Sequence, residues 1–307
     1  MTSPSELARK DAVLVECRGS DTLIVTGADR CSWLEGLVTC QVGQLSPGQG
    51  TWGLVLNRQG KIQSVLWVVA AAEALWLALA PGTIDQIEPE LGRMLIMEDA
   101  ELERPSAAQR WFALHGPAAV KRASALAERF EGQAGALDWT GLGGAALVVA
   151  AERAAEVSAA CQDLLLSDED WLRLRLERGL PEFGSDFDAK DRPHEASLER
   201  RAVSWTKGCY LGQEVVCMQD MRGKVKKSQR LFAIAAPAQA QLPLAAPLLN
   251  AAGQPLGQLT SRAYSERAQA WLALARVDLD LLHAAAGELY CVPNGETRWP
   301  ARPSEPV

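Results

Sequence analysis

At 307 residues the chain is longer than one hydrophobic core usually supports, so two or three domains are expected. With 48% hydrophobic and 22% charged residues it reads as a folded globular protein, and its net charge of −7 argues against strong direct binding of nucleic acid, which relies on many cations neutralising phosphates. No run of about eighteen uncharged apolar residues is present, the N-terminus lacks the order of a secretory signal, and the seven cysteines have no disulfide spacing, so a reduced cytoplasmic protein without a membrane span is expected.

Asp21-Thr-Leu-Ile-Val-Thr-Gly27 is rich in β-branched residues and ends in glycine, which predicts a strand entering a turn. Asp29 follows where a helix cap is wanted, and Trp33, Leu34 and Leu37 fall at helical spacing over Arg30 to Val38. Residues 51 to 80 predict three strands, the first two joined by a turn at Asn57-Arg-Gln-Gly60, with a helix after them from about Thr83 to Leu95. Further along come a strand at Trp111 to Leu114, a helix from Pro117 to Phe130, a strand at Ala145 to Ala150, and helices over Glu152 to Leu165 and Ser167 to Leu180. Beyond Arg230, apolar runs at Leu231 to Ile234, Pro255 to Thr260 and Ala270 to Val277, split by Pro and Gly, predict a small β-barrel or sandwich. Periodicity therefore gives α+β followed by all-β.

The chemistry concentrates in Lys207-Gly208-Cys209-Tyr210-Leu211-Gly212-Gln213-Glu214. An ammonium two residues from Cys209 favours thiolate over thiol if the two meet in space. Gly208 and Gly212 permit conformations closed to other residues and close approach of a ligand, while Gln213 and Glu214 supply an amide and a carboxylate at the start of a regular element. A helix running from Cys209 to Cys217 would put both thiols on one face. Two thiols and three distant histidines do not make a four-ligand site, so no metal ligands are assigned and Cys217 reads as an inert thiol. Arg222-Gly-Lys-Val-Lys-Lys-Ser-Gln-Arg230 carries five cations in nine residues, either as a solvated edge or as an anion site.

The octapeptide closely resembles the signature of the YgfZ family of folate-binding proteins that support iron-sulfur cluster assembly and repair. Arg175-Leu-Glu-Arg-Gly-Leu-Pro-Glu-Phe-Gly184, Pro193-His-Glu-Ala-Ser-Leu198 and Leu56-Asn57 turning through Gly60-Lys61-Ile62 follow the same order of landmarks. The resemblance implies the three-lobed fold shared with the aminomethyltransferase T-protein of glycine cleavage. That fold has two interleaved α+β lobes within 1–228, the inner one roughly 50–160, around a central folate cleft, and a C-terminal β-barrel over 229–304.

It further implies tetrahydrofolate or a derivative as cofactor, with Gly208, Tyr210, Gly212, Gln213 and Glu214 contributing to its site. Glu177 would grip the pterin, because a carboxylate can accept two parallel N–H bonds from a 2-amino-4-oxo edge. Read from the residues alone, Glu177 is a surface partner for Arg173. Cys209 would be the reactive group, in redox or one-carbon chemistry or in transient contact with an iron-sulfur cluster, and the partners would be iron-sulfur client or assembly proteins.

The sequence departs from both relatives. T-proteins look like Gly-Gly-Ile-x-Asp-Asp-Leu where this chain has Gly60-Lys61-Ile62-Gln63-Ser64-Val65-Leu66, and an aspartate there is implied to be catalytic. A hydroxyl and an isopropyl group replace neither a general base nor a stabilising carboxylate, so ordinary aminomethyl transfer is not expected. A folate-dependent methyl or aminomethyl transferase or demethylase on another substrate is the alternative. Met218 stands where the signature commonly continues with arginine.

Overall fold

The computed structural model describes residues 3–285, 287–295 and 297–307. They form two compact units, one of Met1–Ser167 with Arg200–Val215 and one of Asp168–Glu199 with Val216–Val307.

The first unit opens with α1 (Pro4–Lys10), β1 (Val13–Cys17), β2 (Asp21–Thr26) and α2 (Arg30–Glu35). It continues through β3 (Gly50–Leu56), β4 (Ile62–Ala70), β5 (Ala74–Leu79), α3 (Ile84–Gly92) and β6 (Glu101–Glu103). Then come β7 (Gln109–His115), α4 (Ala119–Arg129), β8 (Gln133–Ala136), β9 (Gly144–Ala150) and α5 (Ala154–Ala160). One sheet has the order β1-β7-β9-β8 and the other β3-β4-β5-β2-β6. The chain thus begins in one sheet, builds the whole of the second and returns to the first. The nested segment is Asp21–Glu103, earlier in the chain than the expected 50–160.

Alternation along the strands gives each sheet two apolar faces. Leu23, Val25, Leu66, Val68 and Leu77 pack with Trp33 and Leu34 of α2 and Ile87 of α3. Phe112, Leu114 and Leu147 pack with Ala123 and Leu126 of α4 and Val157 of α5. The remaining faces share a tryptophan-rich layer in which Trp111 and Val69 are fully buried. Trp67 lies 4.2 Å from Trp139 and 6.4 Å from Trp111, and the Trp111 indole donates to Thr22 Oγ1 at 2.9 Å. His115, two pleats along from Trp111, faces the same layer with its ring edge-on to Trp139 at 4.8 Å.

Local expectations were met unevenly. Asp29 does not cap α2. Its backbone sits at φ −91°, ψ 4° instead of the extended conformation a capping residue adopts, and its Oδ2 accepts the Asp99 amide at 2.9 Å. The α2 helix stops at Glu35, and the helix expected over Glu152 to Leu165 is a short 3₁₀ turn followed by α5.

The second unit contains α6 (Asp168–Glu177), most of α7 (Gln213–Arg222), and β10 (Lys227–Ile234), β11 (Pro247–Asn250), β12 (Pro255–Ser265) and β13 (Ala270–Asp278). After these come α8 (Leu279–Ala284), β14 (Leu289–Cys291) and β15 (Trp299–Pro303). The six strands close into a barrel of order β10-β13-β12-β11-β14-β15, sealed by antiparallel pairing of β10 with β15. Phe232 and Ile234 point inward with Leu248, Leu259 and Ala275, whereas Leu231 and Ala233 point outward and join Leu172 and Leu176 of α6. Among the described residues no helix is long and apolar enough to cross a membrane.

Candidate functional site

The octapeptide precedes and enters α7, which starts at Gln213. Cys209 therefore lies outside the helix, and the shared face expected for Cys209 and Cys217 does not form. Cys209 is exposed and Cys217 half-buried, while the Cys40, Cys161 and Cys291 thiols are buried.

Lys207 is placed differently from the sequence-based expectation. Its Nζ donates to the carbonyls of Glu35 (2.6 Å), Val38 (2.7 Å) and Cys40 (2.7 Å), so all three ammonium hydrogens are committed. The side chain is 0% exposed, with Glu35 Oε1 at 3.6 Å, and the Tyr210 ring centroid lies 5.6 Å from Nζ. Burial pulls the Lys207 pKa down, and Glu35 acts in the opposite direction. The carbonyls belong to the C-terminal end of α2 and the chain just after it, where no helical partner remains for them. Lys207 is thus a positioning residue that ties the octapeptide to α2, and it does not direct its ammonium at Cys209. The same enclosure makes Cys40 inert, with burial pushing its thiol up to about 12.

Gly212 explains the second glycine of the motif. It has φ +82°, and a Cβ there would lie 2.6 Å from the Asn57 carbonyl oxygen and 3.3 Å from the Gly60 Cα. The turn is shaped by Asn57 Oδ1, which accepts the amides of Gln59 and Lys61 at 3.0 Å each, and by Gly60 at φ +68°. Two landmarks far apart in sequence are thereby packed backbone to backbone. Gly212→Ala is expected to cost at least about 1–2 kcal/mol from the left-handed conformation alone. Gly208→Ala, whose Cβ meets nothing within 4 Å, should leave the urea midpoint unchanged. Equal midpoints for the two variants would show that the turn yields freely.

Tyr210 is 7% exposed and belongs to the support of the loop, while Gly208 and Glu214 are exposed and Gln213 is half-buried. On β4, Ser64 is 0% exposed and its hydroxyl is occupied by the Val65 carbonyl (2.9 Å), Thr83 Oγ1 (2.9 Å) and the Ala80 amide (3.0 Å). It stabilises the strand end and holds no free proton acceptor.

Glu177 lies in the second unit, at the end of α6. It is not the surface partner of Arg173, which pairs with Glu169 and Asp170. Glu177 is 1% exposed, its Oε1 accepts from Ser265 Oγ at 2.7 Å, and its Oε2 is buried with no hydrogen-bond partner among the described residues. An unsatisfied buried carboxylate oxygen is costly, and Gln219 Oε1 is a second buried oxygen without a partner among the described residues. Ser265 carried no signal in the sequence, since it lies in a strand end far from the helix.

The helix end is fixed by Arg175, 3% exposed, whose Nη1 donates to Asp186 Oδ2 (2.7 Å) and the Leu180 carbonyl (2.9 Å) and whose Nη2 donates to Ser261 Oγ (2.7 Å). Asp186 also accepts from Thr260 Oγ1 (2.6 Å) and the Glu182 amide (2.9 Å). Arg175 and Glu177 are thus buried on different faces of one helical turn.

Comparison with known proteins agrees with this layout. The profile of the GCVT N-terminal domain family matches residues 4–158. The tRNA-modifying protein YgfZ of Yersinia pestis (strain Pestoides F) is 28% identical over 221 residues, covering 66% of this chain and 66% of that protein. The mitochondrial aminomethyltransferase of Canis lupus familiaris is 30% identical over 283 residues, covering 77% of this chain and 65% of that protein. The chain thus spans about two thirds of the length of the curated relatives it matches. The crystal structure of glycine cleavage system aminomethyltransferase T from Bartonella henselae superposes with a TM-score of 0.77 at 17% identity, covering 98% of this chain and 87% of that one. The fold is that of aminomethyltransferase T, with a closed six-stranded barrel in its C-terminal region. The chain belongs to the GCVT N-terminal domain family, and within that fold it is a YgfZ-like member.

Proposed function

We propose that this protein is a folate-binding accessory factor that supports iron-sulfur cluster assembly or repair through Cys209. The observation that carries the reading is the exposed Cys209 thiol on a loop whose neighbour, Lys207, is locked into three backbone carbonyls. A mobile redox or cluster-contacting thiol needs exposure and a fixed mount. A lone thiol suits transient contact better than durable storage, which uses several cysteines. The clients are iron-sulfur proteins or their assembly partners, and effects on tRNA thiolation follow indirectly from cluster supply.

Glu177 is the proposed pterin acceptor, through one oxygen and not the two of a parallel pair. Its unpartnered Oε2, beside an Oε1 already held by Ser265, is an acceptor awaiting a donor. Bound tetrahydrofolate would supply one-carbon or reducing chemistry, while Glu177 orients the ring and Ser265 holds the carboxylate in place. Gly208, Gln213 and Glu214 are the octapeptide residues left available to a ligand.

Anaerobic calorimetry with tetrahydrofolate tests the reading. Saturable binding is expected for the wild type, weakened about tenfold or more by Glu177→Gln, because the loss of a charge-assisted hydrogen bond costs about 1.5–3 kcal/mol. Cys209→Ala should keep that affinity and the fold while abolishing support of a cluster-dependent enzyme in cells. An equal cellular loss from Cys161→Ala would remove the special status of Cys209, and unchanged affinity in Glu177→Gln would displace the pterin from Glu177.

Similarity to a mitochondrial aminomethyltransferase favours one alternative, a folate-dependent methyl or aminomethyl transferase or demethylase. Turnover with tetrahydrofolate and an N-methyl donor would establish it. Against it stands the replacement of the implied aspartates by Ser64, whose hydroxyl is already occupied, and by Val65.

A further inference from the structure

We infer that the second unit carries a docking surface for an acidic, partly apolar segment of a partner protein, formed by the cationic run Arg222–Arg230 and the cavity beside Arg230. This inference does not rest on folate binding. Arg222, Lys224, Lys226, Lys227 and Arg230 are all exposed, and none holds an ion pair among the described residues. Several other surface cations are paired: Lys10 with Glu6, Arg104 with Asp85 and Glu88, Arg122 with Asp11, and Arg153 with Glu156.

Two groups beside the run form no ion pair with it, and Asp220, two residues before Arg222, pairs with His194. Lys227 stands opposite Asp278 in the β10–β13 register, but that carboxylate caps α8, accepting the amides of Asp280 (3.1 Å) and Leu281 (3.2 Å). Among the described residues Arg230 reaches only the Ser197 hydroxyl, at 3.1 Å. Five cations within nine residues of a protein of net charge −7, none of them in an ion pair among the described residues, make a surface suited to a counter-charge from outside.

Arg230 also lines a cavity of about 690 Å³ with Arg302, His283, Leu282, Leu289 and Pro303. Its wall is mixed. Glu305 lies on it, and Glu288 is bonded to the Tyr290 hydroxyl. The attraction for an anion therefore comes from the run, and the cavity contributes apolar volume. Met221, next to Arg222, is 79% exposed. Arginine and methionine together characterise protein-binding surfaces. Nucleic acid fits less well, because Met221–Arg230 contains no aromatic residue on which a base could stack and the cavity beside it carries the carboxylates of Glu288 and Glu305.

The test is fluorescence anisotropy with a labelled peptide of repeating Glu-Glu-Leu units, against the full chain at low and physiological salt. Binding that weakens with salt is expected, reduced about tenfold or more by the combined Lys224→Glu, Lys226→Glu and Lys227→Glu substitutions and again by Arg302→Glu. A Glu-Glu-Ser peptide should bind more weakly. All four changes are at exposed positions, and unaltered thermal midpoints would confirm that folding is intact. Absence of peptide binding, insensitivity to the charge reversals, or equal binding of the serine peptide would overturn the inference. So would displacement of the peptide by tRNA binding more tightly through the same residues.

Discussion

Arg175→Ala is expected to lower the unfolding free energy by about 3–5 kcal/mol, the range for removing one partner of a buried ion pair. The guanidinium is 3% exposed and Asp186 lies against it at 2.7 Å with a side chain that is 0% exposed, so truncation strands a carboxylate in the interior. It also releases the Leu180 carbonyl and the Ser261 hydroxyl. Lysine should recover only part of the loss, because a point ammonium cannot reproduce the planar fork that reaches three acceptors. Urea unfolding measures both variants. A loss below about 1 kcal/mol for alanine would mean that Thr260 and the Glu182 amide alone satisfy Asp186. Because Arg175 and Glu177 share one turn, the alanine variant should also weaken folate binding, through placement of Glu177 and not through contact.

Acidification provides the second large effect. Burial holds His115 at a pKa of about 4, against an ordinary 6.5, with Asp138 pulling weakly the other way. The unfolded chain takes up a proton as pH falls through 6.5, and the folded protein does so only near 4, so unfolding is favoured throughout that window. The contribution is fully present above 6.5, is lost progressively down to about 4, and amounts to about 3 kcal/mol in total. His115→Phe keeps a ring against Trp139 and should flatten the dependence of the urea midpoint on pH across the window. A slope identical to that of the wild type would assign the acid sensitivity to other groups.

The architecture was legible where the local pattern was strong. The Asp21–Gly27 strand, the Asn57–Gly60 turn and the apolar runs of the barrel all announced themselves by alternation and turn chemistry. Helix lengths were read too long, because an alanine-rich sequence continues a helical pattern past the point where tertiary contacts end it, as at Cys161 after α5. Asp29 had the right residue type for a cap and the wrong backbone. In the octapeptide the exposed Cys209 could be singled out by type and setting, but the task of Lys207 could not. Its acceptors are the carbonyls of Glu35, Val38 and Cys40, backbone groups that every residue carries and that no sequence pattern marks. Ser265, the partner of Glu177, was silent for the same reason: its distance in sequence leaves no periodicity to read.

The order in which the chain is threaded through its two units bears on how the protein is made. Synthesis proceeds from the N-terminus, so both sheets of the first unit emerge before Arg200–Val215, the segment that brings Lys207 to the end of α2. Until then three carbonyls there await their ammonium. Asp168–Glu199 emerges in between and belongs to the unit finished last, so Arg175 and Glu177 leave the ribosome long before Ser261 and Ser265 exist to receive them. During translation that helix end therefore has Leu180 and Asp186 for Arg175 but lacks both barrel serines. A message broken ahead of Pro255 would yield a polypeptide with its thiol loop complete and its carboxylate stranded, a species that quality-control proteases should recognise.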